Sequence, residues 1–568
     1  FIPRCNSSCC HSSYISEEEK ENALKFHKMK KRIIVPIIAV GIFFTTVSFK
    51  SDFFEIAKQI EIFTTLFKEL NMNYVDEVTP ATLMDKAIKG MLEDLDPYTV
   101  YWNEQQVEDA KINNSGVYTG IGATAQSRKD KIIIVEPYQG YPADKAGLKA
   151  GDEIVKIGNI NIADLEDDAG ELLKGAPGST VDVTYKRQGK TATATITRGA
   201  VDLKAVPFYK LINNDIGYIV LSQFNRKTTI ETKAALVDLK SQGAKKIILD
   251  LRGNPGGLLN EAINVVNLFV DKGEVITTTK SVIEKYNQVY KTQFDPVDKE
   301  IPLVVLVNGR SASASEIVSG GLQDLDRAVV VGARSFGKGL VQRPKKLTYG
   351  TQLKVTISRY YTPSGRCIQA LDYWHRDENG DPIRKDAKEY NAFKTKGGRT
   401  VYDGGGILPD VELKSAVFSP ITTALLKDNA IFDYATKYYY SHQMTDWKNF
   451  QFTEADFQDF LKFLKDNNFE YETETEKKFA EGLKISEDDD MSKDISASYN
   501  QLMAAIDLAK DKAIVDKKVE IESLLTDEIL KRYFYREGLY NYQIEHNPEI
   551  LEAVAVLNDA GRYNKILK

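Results

Sequence analysis

Two segments of this 568-residue chain share one local pattern, and together they constrain the fold more than any other feature. "AKKIILDLRGNPGGLLNEAINVVNLFV" (Ala244–Val270) is an apolar strand-like run, a glycine turn and then apolar residues at helical spacing. "IPLVVLVNGRSASASEIVSGGLQDL" (Ile301–Leu325) repeats it with small hydroxyl residues at the turn. "AVVVGARSFGKGLVQ" (Ala328–Gln342) adds a strand entering a glycine-rich loop. Strands and helices alternate in this way over residues 201–415, which predicts an α/β layer fold.

The flanking regions read differently, and the length alone calls for several domains. Residues 51–112 have a helical pattern. Thr79 and Pro80 mark a helix start, Leu83, Ala87, Met91 and Leu92 share a face, and "LDPYTVYW" (Leu95–Trp102) ends the run. Residues 416–568 are helical and highly charged. Thr453 and Asp456 form a loose capping pair ahead of an apolar stripe of Phe457, Phe460, Leu461 and Leu464. "SEDDDMSKD" (Ser486–Asp494) reads as a solvated linker. No chemistry is visible in this last region, so packing, self-association or docking of an adaptor is its expected role.

Between these lie residues 113–200, where short β-like runs alternate with glycine turns. "YTGIG" (Tyr118–Gly122) and the later Ala146-Gly147-Leu148 to Gly151-Asp152 block resemble a PDZ domain. A PDZ domain adds a peptide strand to its sheet edge and captures the terminal carboxylate. The resemblance implies that Tyr118, Gly120, Ile121 and Gly122 form the carboxylate loop. The plainer alternative is a tight turn.

"MKKRIIVPIIAVGIFFTTVSFK" starts at Met29 with a basic patch and continues as an apolar run from Ile33 to Phe49. That is the build of a signal peptide or membrane anchor over residues 29–50; a buried core helix is the alternative. Residues 1–28 are then expected to be an upstream non-native extension. The "CNSSCCH" stretch at Cys5–His11 could bind a metal, but falls within that extension, leaving Cys367 alone in the exported part. The expected location is the periplasm or cell envelope, with membrane contact only through residues 33–49. A net charge of −6 gives no reason to expect nucleic-acid binding.

The serine block is the candidate site. A residue between strand and helix sits beside free backbone N–H groups, which can stabilise an oxyanion. Ser313 and Glu316 also satisfy S-x-x-E, so a helix cap alone would explain the serine. A nucleophilic serine needs a base. Of five histidines only His375 lies in the α/β region, in a polar stretch. Lys338, between two glycines in "RSFGKGLVQ", is the other option, because burial lowers a lysine's pKa. Gly332 to Lys338 also fits a phosphate loop, but position 339 is Gly and Pro344 follows, which argues against a nucleotide hydrolase.

Taken together, "LDPYTVYW", the PDZ block, "LDLRGNPGGLL", "SASASEIVSGGLQD", "GARSFGKGLVQ", "YYTPSGRCIQ" and "GGGILPDVEL" resemble the C-terminal processing peptidases, or tail-specific proteases. The resemblance implies a multidomain α+β protein: a helical N-terminal part, a PDZ domain, a crotonase/Clp-like protease core and a helical C-terminal extension. It implies a Ser–Lys endopeptidase without cofactors that cuts protein substrates near free C-termini. Ser313 becomes the nucleophile, Lys338 the general base and Gln342 the residue that orients the lysine. The oxyanion would meet the N–H of Ala314 and that of Gly256 or Gly257. Ser311 and Ser315 keep structural roles. The competing non-enzyme reading is an inactive PDZ-containing envelope scaffold.

Overall fold

The computed structural model describes residues 53–568 apart from 129, 166–168, 379, 414–417 and 490. The expected extension, anchor and cysteine-rich start lie outside the described residues. Among the described residues no helix is long and apolar enough to cross a membrane. The chain forms two compact units, Phe1–Met91 and Leu92–Lys568.

The first unit holds a helix over 53–73 and most of the helix Pro80–Glu93. The latter starts at the expected proline, which suits the first helical turn. Of its anticipated apolar face, Leu83 and Ala87 are half-buried but Met91 is 69% exposed.

The second unit begins with a departure from the expected all-helical region. Val100–Trp102 is a strand, paired antiparallel with Gln352–Lys354. β-branched and aromatic residues suit a pleated surface better than a helix. This pairing places the Leu95–Trp102 segment on the α/β region. The PDZ part is a sheet in the order Ala123–Arg128, Lys131–Pro137, Glu153–Ile157, Thr180–Arg187, Lys190–Thr197. Its core is Ile132, Ile134, Leu148, Ile154, Val183 and Ile196, and a short helix, Pro142–Lys145, stands where the sequence suggested one.

The core sheet has the order Phe208–Ile212, Ile216–Val220, Lys246–Asp250, Leu303–Val307, Val329–Gly332, Val411–Glu412. The first pair is antiparallel and the others parallel. A parallel sheet is covered on both faces, so its strands are continuously apolar. Ile247, Leu249, Val305 and Val307 meet helices Thr228–Ser241, Leu259–Asn267 and Ala314–Asp324. Ile248, Val304, Leu306 and Val331 point the other way, onto Ile550, Ala553, Val556, Leu557 and Tyr563.

The last helices are therefore not an appendage: they are the second cover of the core sheet. Sequence ahead of them builds its own cluster around Tyr434, Phe457, Phe460, Leu525 and Ile529. The stretch read as a linker is mostly helix, since Glu474–Asp488 and Ser492–Asp516 flank only a brief break. Intrahelical hydrogen bonds do not require apolar residues, so an acidic run can continue a helix that packs through its other face. The helix Lys518–His546 changes direction at Tyr535, whose φ is 56°. There Tyr535 donates to Asp144 (2.7 Å) and Arg536 holds Glu136 through two 2.7 Å bonds, fixing the PDZ part to the C-terminal helices.

Candidate active site

The turn after Leu303–Val307 explains the alternating serines. Ser311 and Ser315 are fully buried. Ser311 donates to the Leu251 carbonyl (2.8 Å) and accepts from the Asn308 N–H (3.0 Å). Ser315 donates to the Asn254 carbonyl (2.9 Å). Both lock the serine turn to the neighbouring "LRGNPGG" loop. Ser313 is the one left half-exposed. Its backbone has φ 55° and ψ −111°, a conformation costing about 1–3 kcal/mol for a non-glycine residue. It heads the helix Ala314–Asp324 and forms a capping box with Glu316, as the S-x-x-E spacing suggested. In that box Glu316 Oε2 accepts the Ser313 N–H (2.8 Å).

Glu316 has a larger role than the capping pattern suggested. Its carboxylate is buried, yet Oε2 also accepts the Lys338 N–H (2.9 Å). Oε1 accepts Gly337 N–H (2.7 Å) and the Ser335 hydroxyl (2.6 Å). One oxygen thus joins the backbones of Ser313 and Lys338, so their amide nitrogens lie within two hydrogen-bond lengths of each other. Burial pushes the Glu316 carboxyl upward, while these four donors hold it back.

Lys338 is half-buried. Its Nζ lies 4.0 Å from the centroid of the Tyr98 ring. Burial, with a contribution from Lys354, lowers its pKa to about 8, against the opposing pull of Glu316 and Asp96. About a tenth of the amine is then neutral at pH 7. After the loop the chain forms the strand Leu340–Lys346, not a helix. The helix N-terminus that a phosphate loop needs is missing there. His375 is exposed and paired with Asp372 (2.7 Å).

The glycine turn comes close to the serine. A Cβ on Gly256 would stand 2.9 Å from the Ala314 nitrogen and 2.7 Å from the Ala312 carbonyl oxygen. The structure separates the two candidate glycines. The Gly256 N–H is bonded to Asn254 Oδ1 (2.9 Å). Gly257 forms a parallel bridge with Phe224 in which the Gly256 carbonyl and Leu258 N–H make the bonds, so the Gly257 N–H faces away from Phe224. Ala314, at the first helical position, has its N–H outside the helix ladder.

The Gln342 amide donates to Thr356 Oγ1 (3.1 Å). The register shifts between Val341 and Gln342, and such a bulge re-aims the following side chain. A cleft of about 660 Å³ runs past Leu258, Val341, Gln342 and Ile357. Leu340–Lys346 pairs with Gln352–Tyr361 on one side only, and the cleft adjoins it.

In the PDZ part, Val117–Gly120 pairs with Gly199–Asp202. Gly122 has φ 70°, and a Cβ there would strike Tyr141 at 2.5 Å. The Ile121 and Gly122 carbonyls accept from Ala143 (2.7 Å) and Tyr138 (2.9 Å). Burial raises the Tyr118 hydroxyl to about 12, and it lies against the N–H groups of Ala123 and Gly122.

Sequence reasoning missed Glu316 as a link between loops, and also Asp96 and Tyr98. Only the "LDPYT" stretch marked the latter two.

Comparison with known proteins follows the same divisions. Residues 215–373 match Peptidase family S41, and 119–197 match a PDZ domain. Residues 46–106 match the activating protease CtpB N-terminal domain, and 421–557 a probable PDZ-protease C-terminal helical domain. A carboxy-terminal-processing protease of Bartonella bacilliformis is 38% identical over 323 residues, 55% of this chain and 73% of that one. A probable CtpA-like serine protease of Staphylococcus aureus is 35% identical over 307 residues, 53% of this chain and 61% of its own length. The solved photosystem II D1 C-terminal processing protease aligns at 27% identity over 63% of this chain and 88% of its own, with a TM-score of 0.35.

Proposed function

The chain belongs to the carboxy-terminal-processing protease family and is a serine-type peptidase, and we propose that it cuts polypeptides near their C-termini with Ser313 as nucleophile and Lys338 as general base. The observation that carries this reading is the shared Glu316 oxygen. It draws together a half-exposed serine in a strained turn and a lysine whose amine is partly neutral near pH 7.

In this mechanism the neutral Lys338 amine takes the proton from Ser313 Oγ, which attacks the scissile carbonyl carbon. The Ala314 and Gly257 N–H groups receive the resulting oxyanion. The intermediate collapses as Lys338 returns the proton to the leaving amine, leaving an acyl-Ser313. Lys338 then deprotonates water, which attacks the ester and frees the serine. A substrate segment would lie in the cleft along Leu340–Lys346, whose free edge can pair with an extended peptide. The Gly120–Gly122 loop would hold the terminal carboxylate.

The test is cleavage of β-casein by the parent chain, Ser313→Ala and Lys338→Ala. Activity in the parent and none in either variant is expected. No cleavage by the parent would favour the inactive scaffold.

A further inference from the structure

The Leu95–Trp102 segment has no part in the mechanism above, yet it touches the proposed base. Resting on the Ser313–Lys338 reading, we propose that Tyr98 is a positioning residue for Lys338: its ring forms the wall against which the amine is held and kept from bulk water.

The ring is fixed from three directions. Asp96 Oδ1 accepts the N–H groups of Tyr98 (3.0 Å) and Thr99 (3.1 Å), closing a tight turn at the ring's base. That turn is tied to the core, because Thr356 donates its hydroxyl to Asp96 (3.0 Å) and its N–H to Thr99 Oγ1 (3.1 Å). At the far end Tyr373 donates to the Tyr98 hydroxyl (3.3 Å), its ring standing edge-on at 5.9 Å. Burial, with the Tyr373 bond, raises the Tyr98 phenol well above its ordinary range, so it offers Lys338 a neutral π face and no anion.

Gln342 finds its place in the same arrangement. Its bond to Thr356 Oγ1 reaches the group that holds Asp96. Gln342 is therefore linked to Tyr98, and through its ring to Lys338, by way of Thr356 and Asp96, a route the four-residue spacing alone does not suggest.

The ring does two opposed things to the amine. Its face attracts the ammonium form, and its bulk excludes water, which favours the neutral form. The charged neighbours are Lys354, Glu316 and Asp96, and burial is the largest influence. Loss of the wall should therefore matter more than loss of the π attraction. In Tyr98→Ala the amine should titrate above about 8, towards an ordinary lysine. Tyr98→Phe, which keeps the ring, should leave the titration in place. Tyr98→Leu, which keeps bulk but not the π face, should move it down or not at all.

The experiment measures the rate of Lys338 acylation by acetic anhydride against pH, read by peptide mass mapping on the full chain. In parallel, kcat/KM for β-casein cleavage is followed over the same range. For Tyr98→Ala the two curves should shift upward together, with kcat/KM at neutral pH falling roughly tenfold for each pH unit moved. An unshifted acylation curve in Tyr98→Ala, or equal upward shifts in the Ala and Phe variants, would overturn the role of Tyr98. If acylation shifts and kcat/KM does not follow, Tyr98 still walls the amine and it is Lys338 as base that fails.

Discussion

Replacing Glu316 by Gln tests the link between the two loops. The carboxylate accepts four hydrogen bonds from two separate loops and is fully buried. The amide keeps one acceptor oxygen and turns the other into a donor. With nitrogen at the Oε2 place it would face the N–H groups of both Ser313 and Lys338. In the opposite orientation the Ser335 hydroxyl can accept from the amide, while its own hydrogen and the Gly337 N–H lose their acceptor. The second orientation is the cheaper, since a stranded buried donor costs about 1–3 kcal/mol. The variant should thus fold with its stability lowered by about that amount, and keep the oxygen shared by Ser313 and Lys338. Removing the negative charge also removes a group that favours protonated Lys338. The amine should then titrate below about 8, and the acid limb of kcat/KM should move to lower pH. Urea unfolding followed by tryptophan fluorescence reads the first effect, and β-casein cleavage against pH the second. Unchanged stability together with an unmoved limb would refute the view that an ionised Glu316 joins the two loops. Glu316→Ala, which strands all four donors, should be markedly worse in both assays.

Ser313→Ala should abolish cleavage and cost no more than about 1 kcal/mol of stability through its place in the capping box; cleavage at the parent rate would exclude Ser313 as nucleophile. Lys338→Arg should be as inactive as Lys338→Ala, since a guanidinium does not deprotonate in this range; activity in the arginine variant would make the residue a fixed cation. Truncation after Asn547 should leave the protease core unfolded by circular dichroism, because Ile550, Ala553, Val556 and Leu557 cover one face of its sheet. A model substrate ending in free Val should be cut faster than its amide, and Gly122→Val should erase that difference because the new side chain would strike Tyr141; equal rates on the parent would sink terminal recognition by the PDZ loop.

The parts legible in the sequence were those set by local pattern. Continuous apolar runs such as Leu303–Val307 announced buried strands, and their turns located Ser313 and Lys338. Three alternating serines on one strand-to-helix turn could be sorted only by motif; the structure sorts them by partners, two buried in bonds to the facing loop and one left half-exposed. What escaped depended on tertiary contacts. Glu316 looked like an ordinary cap because its other donors, Ser335, Gly337 and Lys338, arrive from a loop about twenty residues on. The bond from Gln342 to Thr356 was not legible because a bulge is invisible in strand periodicity. The apolar residues of Pro548–Asn558 marked a buried helix face without saying that it would close the catalytic sheet.

The most direct test of the Ser313–Lys338 dyad is the pH dependence of kcat/KM for the unmodified chain, alongside His375→Ala. A lysine base lowered by burial is charged and idle below its pKa, so kcat/KM should rise about tenfold per pH unit up to about 8 and then level off, identically in both proteins. A limb centred near histidine's ordinary value of about 6.5 that disappears in His375→Ala would contradict the account.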